Sequence, residues 1–419
     1  MSSDAYAALR IPDYRRFLAM RMMTTLNIQI MSVAVGYYVY ELTNDPLMLG
    51  IIGLTEAIPA IFISLWAGHL ADKYNRRNLL IGCISILLVC SLALLVVAIN
   101  SVALGNSMVL TLLYIIIFCT GISRGFFSPA NFAFLPQIVD RERLQNAISW
   151  NSSTWEVASI TGLGVGGLLY GFGGVTLTFA VMSALAVLAL FFILQITPRP
   201  VPVFDHTETA IQRIRAGLNF VFSKQIIIGA IAMDLFAVFF GGAVALMPVF
   251  AKDILHVGPE GAGILRAMMA VGAISMAIFL AHRPLGKGAG KIMLLCVAGF
   301  GLSNILFGLS THFILSCICM VMAGMFDEVS VFIRSGLVHF HTPENMKGRV
   351  SSVSSIFITS SNELGAFESG VAARLMGTVP SVVFGGLVTL GVVAFTWWRA
   401  PKLRDYEFRG AKEETQENP

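Results

Sequence analysis

Long apolar segments recur along the whole 419-residue chain and are separated by short polar or charged breaks. About 20 apolar residues suffice to cross the hydrocarbon core of a bilayer as an α-helix, and a soluble fold cannot bury so many such segments. Charged residues form only 12% of the chain. The sequence therefore predicts an all-α membrane protein, with twelve transmembrane helices expected at residues 14–41, 47–71, 78–99, 107–137, 144–171, 174–196, 224–251, 258–281, 290–309, 312–341, 345–377 and 379–400.

Lysine and arginine residues concentrate in every second break along the chain. Most of the 28 fall in the N-terminal arm, in alternate loops or near the C-terminus, which is the distribution found on the cytoplasmic side of membrane proteins. Both termini are therefore expected in the cytoplasm. The first apolar run is too long for the hydrophobic region of a cleavable leader and is expected to remain as an anchor. Because the basic residues belong to these short loops, the net charge of +4 does not indicate nucleic-acid binding.

The longest polar break divides the apolar segments into two groups of six. Residues 207–222 within it carry apolar side chains at helical spacing, which predicts an amphipathic helix lying along the membrane surface. The expected organisation is an N-terminal six-helix bundle at 1–196, a cytoplasmic linker with that helix at 197–223, a C-terminal six-helix bundle at 224–400 and a cytoplasmic tail at 401–419.

The two groups of six resemble copies of one unit. A long apolar run ends at residues 136–143 in the first and at 341–349 in the second, and in both a charged turn is followed by a serine-rich stretch. Internal repeats of this kind are typical of secondary transporters, whereas a receptor or a membrane enzyme does not require them. The pattern predicts two pseudo-symmetric bundles.

The loop after the second predicted helix carries the most specific motif, Gly68-His69-Leu70-Ala71-Asp72-Lys73-Tyr74-Asn75-Arg76-Arg77. It resembles the signature loop of the major facilitator superfamily, and the resemblance implies that this loop stabilises an outward-open state through Gly68, Asp72, Lys73, Arg76 and Arg77. Position 75 departs from the usual glycine, and asparagine is the residue that next best tolerates a left-handed turn. The alternative interpretation is a basic loop that only anchors the chain on the inside.

Similarity to that superfamily extends over nearly the whole chain and narrows to one branch. Residues 11–17, 40–47 and 361–370 resemble the enterobactin-exporter and drug-efflux branch. The resemblance implies the major facilitator fold in a multi-pass protein of the bacterial inner membrane, monomeric and without a cofactor. It also implies efflux of a small-molecule substrate in exchange for protons, without fixing the cargo.

Glycines cluster in the fifth predicted helix at Gly162, Gly164, Gly166 and Gly167. The cluster resembles the glycine-rich motif of antiporters in the same superfamily, although Leu163 replaces the usual proline. Glycine at this density lets helices approach closely and bend. The sequence leaves two interpretations, plain helix packing and an exporter-specific role.

Several charged residues lie inside the predicted spans, where a charge near the bilayer centre is costly and normally faces a cavity or a partner. In the superfamily the first, fourth, seventh and tenth helices line the central cavity, and each of the corresponding spans here carries a charge. The residues expected around the cavity or in proton coupling are Arg21, Arg124, Asp234, Asp327, Glu328 and Arg334, together with the carboxylates Glu56, Glu156, Glu363 and Glu368.

Proton coupling requires a carboxylate whose pKa is raised by burial and lowered by a nearby cation. Asp234 and Glu328 are the favoured candidates, because their helices are the ones expected to face the cavity. Alignment of the repeats at Gly50 and Gly263 sets Arg21 opposite Asp234, so these two residues are a candidate cross-domain pair. The alternative for each carboxylate is a structural ion pair that ties helices together.

Other classes of membrane protein leave no signature in this sequence. There is no nucleophile elbow, HExxH motif or histidine box of an enzyme, and residues 286–291 lack the following serine or threonine of an ATP-binding loop. All six cysteines lie in apolar runs, and His339 and His341 face different sides of a helix, so neither a disulfide framework nor a metal site is predicted. The serious rival is an uptake carrier or uniporter, because the fold fixes neither direction nor cargo.

Overall fold

The computed structural model describes residues 6–199, 210–241, 243–282, 288–343 and 346–407, and the side chains of residues 64–73 and of some others in these ranges lie outside the described part. The described residues form helices and no strand. The main helices are α1 (Pro12–Thr43), α2 (Pro46–Lys73), α3 (Arg76–Ile99), α4 (Asn106–Ile138), α5 (Leu144–Leu194), α6 (Ala210–Ser223), α7 (Gln225–Phe240), α8 (Gly258–His282), α9 (Ala289–Leu309), α10 (Phe313–His341), α11 (Lys347–Met376) and α12 (Thr378–Arg399).

Nine of the described helices are long and apolar enough to cross a bilayer, or ten if a bent pair of helices counts as one span. The predicted all-α membrane fold is confirmed, whereas the count of twelve stays a prediction. Helix α7 is too short to count as a span by itself because it has only 16 residues. Helix α11 is long enough, but its serines and glutamates make it less apolar.

Helix α5 contains two of the predicted spans in its 51 residues. At about 1.5 Å per residue, a helix of that length measures roughly 75 Å, more than twice the thickness of the hydrocarbon core. The backbone breaks at Gly174, whose φ of 70° and ψ of −178° are not helical. Glycine adopts this conformation readily because it has no Cβ atom. The break lies where the sequence places the turn between the fifth and sixth spans.

The predicted span 224–251 is wrong as a single helix. Helix α7 ends at Phe240, and after an interruption a short helix at Met247–Val249 continues into a π-helical turn at Phe250–Ile254. The interruption starts at Gly241, and glycine is a poor helix former. Pro248 then lacks the N–H group that would join its turn to a continuous helix. Gly241 and Pro248 therefore interrupt the helix, although the apolar composition of the segment suggested one continuous span.

Helix α6, in the longest polar break, is amphipathic in sequence, and apolar side chains of one face pack into a core. Val221 of α6 is fully buried in the core of the second half, and Leu218 packs against the same core. The segment Arg215–Ser223 meets Gln225–Phe240 at 101°, so it runs almost perpendicular to the helix that follows. This direction fits a helix that lies along the membrane surface; the predicted start at residue 207 lies outside the described residues.

The chain divides into two compact units, Met1–Ala210 with Val257–Ile264, and Ile211–His256 with Leu265–Pro419. The first has a core around the fully buried Tyr14, Phe17 and Phe134, and the second has a separate core that includes the C-terminal Leu403. The predicted domain limits at residues 196 and 224 stay predictions.

Two helix pairs, one in each unit, approach each other through glycines. A Cβ atom at Gly121 or Gly125 of α4 would overlap the backbone carbonyl of Glu56 or Ala60 in α2. In the second unit, Gly272 of α8 lies against Val321 of α10 in the same way. Small residues at such contacts let membrane helices pack backbone to backbone. The two units thus repeat one packing device, as the internal repeat predicts.

The segment that follows α12 folds back onto the second unit. The backbone N–H of Gly290 donates a hydrogen bond to the carbonyl of Tyr406 at 2.9 Å, and Leu403 is 1% exposed. The Tyr406 ring lies 5.3 Å from the His341 ring. Arg404 donates to the neighbouring exposed Asp405 and thereby lowers the pKa of that carboxyl below its usual value. Residues 401–407 therefore pack against the second unit, and this segment is called the strap below.

Replacing Gly290 by Ala is expected to release this strap, because a Cβ atom there would overlap the backbone carbonyls of Leu403 and Arg404. Trypsin should then cut after Lys402 or Arg404 several-fold faster than in the wild type, which is measured from the mass of the released peptide. Gly391→Ala is the matched control, since nothing lies within 4 Å of a Cβ atom at that position. Equal cleavage rates in the two variants would contradict a docked strap.

Candidate functional site

Asp234 and Arg334 form a buried ion pair in the second unit. Asp234 lies on α7 and Arg334 on α10, and their side chains are 8% and 9% exposed. An Nη1 group of the arginine contacts an Oδ2 atom of the aspartate directly. Two opposite charges inside apolar helices compensate each other, and either one alone in that place would be costly.

A small crevice borders this ion pair. It has room for about one water molecule and is lined by Asp234 and Arg334 together with residues of α11, among them Ser354 and Ser361. Ser361 is buried and donates its hydroxyl hydrogen to the carbonyl of Ile358, so its oxygen still has acceptor capacity. Three helices, α7, α10 and α11, therefore bring a carboxylate, a guanidinium and two hydroxyls to one place.

A second ion pair lies in the first unit. Arg124 of α4 contacts Glu56 of α2, with 2.6 Å between Nη1 and Oε1. The arginine side chain is 35% exposed and the glutamate 14%, so this pair is less enclosed than the one in the second unit. It sits beside the close approach of α2 and α4 at Gly121, where the carbonyl of Glu56 faces the glycine.

The structure gives Asp234 a different partner from the one suggested by the aligned repeats. Asp234 pairs with Arg334 in its own unit, whereas the guanidinium of Arg21 lies over the ring of Phe127, 5.6 Å from its centroid. The sequence suggested no partner for Asp234 within its own unit, because side-chain direction is not readable from spacing alone. The cross-domain pair of Arg21 and Asp234 stays a prediction.

The other predicted carboxylates are not gathered at either ion pair. Asp327 and Glu328 lie on α10 about two turns before Arg334, Glu156 lies on α5, and Glu363 and Glu368 lie on α11. All five are partly buried. Their assignment to the cavity or to proton coupling stays a prediction.

In the signature-like loop, residues 68–73 are described only as the helical backbone at the end of α2, so the predicted roles of Gly68, Asp72 and Lys73 stay predictions. Arg76 is 7% exposed and donates to the carbonyl of Ala133 in α4 at 3.1 Å. Arg77 donates to the carbonyl of Leu194, the last residue of α5, at 2.8 Å. The two arginines therefore tie the start of α3 to two other helices of the first unit.

Asn75 does not form the left-handed turn that the sequence suggested. Its φ is −62° and its ψ is 116°, and its side chain accepts hydrogen bonds from the backbone N–H groups of Arg77 and Asn78. This is the geometry of a helix N-cap, for which asparagine is among the preferred residues. The departure from glycine at this position is explained by capping of α3.

The glycine cluster of α5 is a packing surface within the first unit. A Cβ atom at Gly162 would lie 2.7 Å from the Cβ of Gln29 in α1, and one at Gly166 would lie 3.0 Å from the Cα of Ile30. Gly167 faces Gly263, backbone against backbone. Gly164 is partly exposed. Helix packing thus accounts for three of the four glycines; the exporter-specific role stays a prediction.

Two polar contacts inside the first unit were not predicted from the sequence. Asn27 is fully buried and donates to Ser91 Oγ at 3.1 Å and to the carbonyl of Met182 at 2.7 Å. The hydroxyl of Tyr170 donates to Glu41 at 2.6 Å. An asparagine within an apolar span was the available signal for the first contact, because buried amides need partners. Within the described part of the chain, no group of three potential metal ligands comes together.

Comparison with known proteins identifies a family, several relatives and solved structures that are similar to this chain. Residues 3–416 match the family model of the transmembrane secretion effectors. The enterobactin exporters EntS of Shigella boydii serotype 4 (strain Sb227) and of Escherichia coli O1:K1 are each 25% identical to this chain over 389 residues, which cover 91% of either partner.

Solved structures of other transporters share the fold. A D-xylose–proton symporter superimposes with a TM-score of 0.75 at 14% identity, over 94% of this chain and 99% of that chain. The POT family transporter PepTSo gives a TM-score of 0.72 at 12% identity, over 95% and 99%. At these identities the likeness concerns the fold alone, and it confirms the predicted major facilitator architecture.

Proposed function

This chain belongs to the transmembrane secretion effector family, within the major facilitator superfamily, and we propose that it exports small amphipathic molecules in exchange for protons. As a member of this family it is a multi-pass membrane protein and a secondary transporter. The relatives named enterobactin exporters support efflux as the direction. The cytoplasmic position of both termini in a bacterial inner membrane and a monomeric state belong to the same proposal.

The observation that carries proton coupling is the buried pair of Asp234 and Arg334 beside a crevice. A carboxylate that has to move a proton across a membrane needs a reason to be charged in one state and neutral in another. While the pair is closed, the positive charge of Arg334 keeps Asp234 ionised. When a proton binds the carboxylate in place of Arg334, Asp234 becomes neutral.

In the proposed cycle, Asp234 accepts a proton from outside, and the ion pair with Arg334 opens. The freed guanidinium and the protonated acid then no longer hold α7 to α10, so the second unit rearranges and cargo leaves by alternating access. Release of the proton to the inside restores the pair. In this proposal the contacts of Arg76 and Arg77 stabilise one of the two states of the first unit.

Proton coupling is tested with the purified protein in liposomes that contain a pH-sensitive dye and bear an imposed proton gradient. A catecholate siderophore, a macrolide and a cationic dye are added in turn. We expect one of them to release proton flux in the wild type and at least 10-fold less in Asp234→Asn, because an amide cannot carry the proton. Glu328→Gln tests the second predicted carboxylate.

Asp253→Asn serves as the control, because this aspartate of the second unit is exposed and should keep normal flux. Cargo binding to Asp234→Asn is measured in parallel, which separates lost coupling from a misfolded protein. Cargo movement without proton movement in the wild type would contradict the proposal and would point to a uniporter or to another driving ion.

A further inference from the structure

Arg21 differs from the other buried or partly buried arginines described on α1, α3 and α4. Arg16 and Arg124 each contact a carboxylate, and Arg76 and Arg77 donate to backbone carbonyls. Among the described residues, Arg21 has no oxygen acceptor, and its guanidinium lies over the ring of Phe127. Its Nε group is sealed from solvent without a hydrogen-bond partner, although the residue as a whole stays partly exposed.

An arginine inside a membrane helix carries a large cost unless it has an acceptor. Its guanidinium has five N–H donors and stays charged at any physiological pH. Intramembrane arginines normally pair with carboxylates or backbone carbonyls. The cation–π contact with Phe127 covers one face of the guanidinium and leaves the edge that carries the N–H donors unused. Within the described part of the chain, these donors therefore remain available to an acceptor.

A second unsatisfied polar group lies on α4, one helical turn after Phe127. Asn131 of α4 is 5% exposed, and its Oδ1 atom has no hydrogen-bond partner. Two ring contacts fix how α1 and α4 run past each other: Phe17 lies 6.1 Å from Phe134, and Arg21 lies over Phe127. Asn131 is four residues after Phe127 and three before Phe134, so it shares their face and faces α1 between these contacts.

We propose that Arg21 and Asn131 form a subsite for an anionic, carboxylate-type group of the cargo, with Phe127 as its apolar wall. A guanidinium binds two oxygens of a planar anion through parallel N–H donors. The Asn131 amide presents either a donor or an acceptor after rotation about its terminal bond. The cargo is accordingly an amphipathic acid rather than a cation. This inference rests on the proposed transport function and adds the charge of the substrate.

Binding of two probes that differ only in charge tests the subsite. Benzoate and benzamide have nearly the same shape, and only benzoate is an anion. Their affinities for the purified protein in detergent are measured by calorimetry, without a proton gradient. We expect the wild type to bind benzoate about 10- to 100-fold more tightly than benzamide, as a charged hydrogen-bonded contact provides. Arg21→Gln should remove that preference, and Arg21→Lys should retain part of it.

Thermal unfolding without any probe gives an independent readout. If Arg21 holds its charge for a ligand, Arg21→Gln raises the melting temperature, since an unpaired charge leaves an apolar segment. If its contact with Phe127 is purely structural, the same change lowers it. Arg16→Gln is the control, because Arg16 is on the same helix but pairs with Asp13 at 3.0 Å and should leave the benzoate preference intact.

A wild type that binds neither probe, or both equally, overturns the subsite, as does Arg21→Gln with unchanged benzoate affinity or a lowered melting temperature. These measurements need no proton movement. A failure here therefore leaves proton-coupled export untouched, and a failure of the liposome experiment leaves the anion subsite untouched.

Discussion

Replacing Arg334 by Gln is expected to lower the melting temperature of the detergent-solubilised protein by about 10 °C. The change leaves Asp234 charged, 8% exposed and without its partner. Breaking a buried ion pair from one side costs about 3–5 kcal/mol, because the remaining charge is uncompensated. For a unit of roughly 200 residues, each kcal/mol shifts the melting temperature by about 2–4 °C.

The double variant Asp234→Asn with Arg334→Gln is expected to recover most of that loss. Neither residue then carries a charge, and two amides form a neutral hydrogen bond in the same place. Replacement of both partners of a buried pair is often close to neutral, in contrast to removal of one. The double variant should nevertheless release no proton flux in liposomes, because the titrating group is gone. It thus separates folding from coupling.

Arg374→Gln is the matched control for this series. Arg374 is exposed at the end of α11 in the same unit, and substitutions at such surface positions change stability by only about 0.5 kcal/mol. Melting is followed by size-exclusion chromatography after heating. A double variant as unstable as Arg334→Gln would show that shape, not charge, makes the contact valuable, and the proposed proton exchange would lose its physical basis.

The sequence predicted the helices of this protein better than the partners of its charges. Apolar length alone places a helix in a membrane, and Gly174 marks the turn inside α5 because glycine adopts a positive φ at little cost. The interruption at Gly241 was not foreseen. In an apolar run a glycine that ends a helix has the same local sequence signal as one that packs against a neighbour.

The charged residues show the same limit in another form. Rarity of charge in apolar spans singled out Asp234, Arg334 and Arg21 as candidate site residues. The pairing of Asp234 with Arg334 was not predicted, because it depends on which helices pack side by side, and this is decided by the whole core. Asn75 is a similar case, because asparagine both tolerates a left-handed backbone conformation and caps helix N-termini. In the structure it caps α3, which begins at the next residue.

Alanine at Gly272 or at Gly324 is expected to be about as harmful as the loss of Arg334. The two glycines belong to the contact of α8 with α10: Gly272 faces the carbonyl of Val321, and Gly324 faces that of Met269. A single methyl group at either position would overlap a backbone carbonyl, which cannot move aside as a flexible side chain does. The two helices must separate, and overpacking of this kind costs about 1–3 kcal/mol, or more where the backbone has to shift.

Gly391→Ala is expected to have the opposite sign. No atom lies within 4 Å of a Cβ atom at that position of α12, so the variant gains the higher helix propensity of alanine, about 1 kcal/mol, without a clash. The three single variants are compared by melting temperature and by the yield of monodisperse protein. If Gly272→Ala and Gly324→Ala also match or exceed the wild type, α8 and α10 do not meet through these glycines.

The double variant Gly272→Ala with Gly324→Ala distinguishes one shared contact from two separate defects. Once the first methyl group has pushed α8 and α10 apart, the second finds part of the space already opened. The loss in the double variant should therefore be smaller than the sum of the two single losses, by about 1 kcal/mol or more, as expected for residues coupled through one backbone shift. If the two losses of stability were fully additive, each substitution would act only through its own local surroundings. Coupling would show that α8 and α10 meet along one interface, which is the arrangement that Gly121 and Gly125 give to α2 and α4 in the first unit.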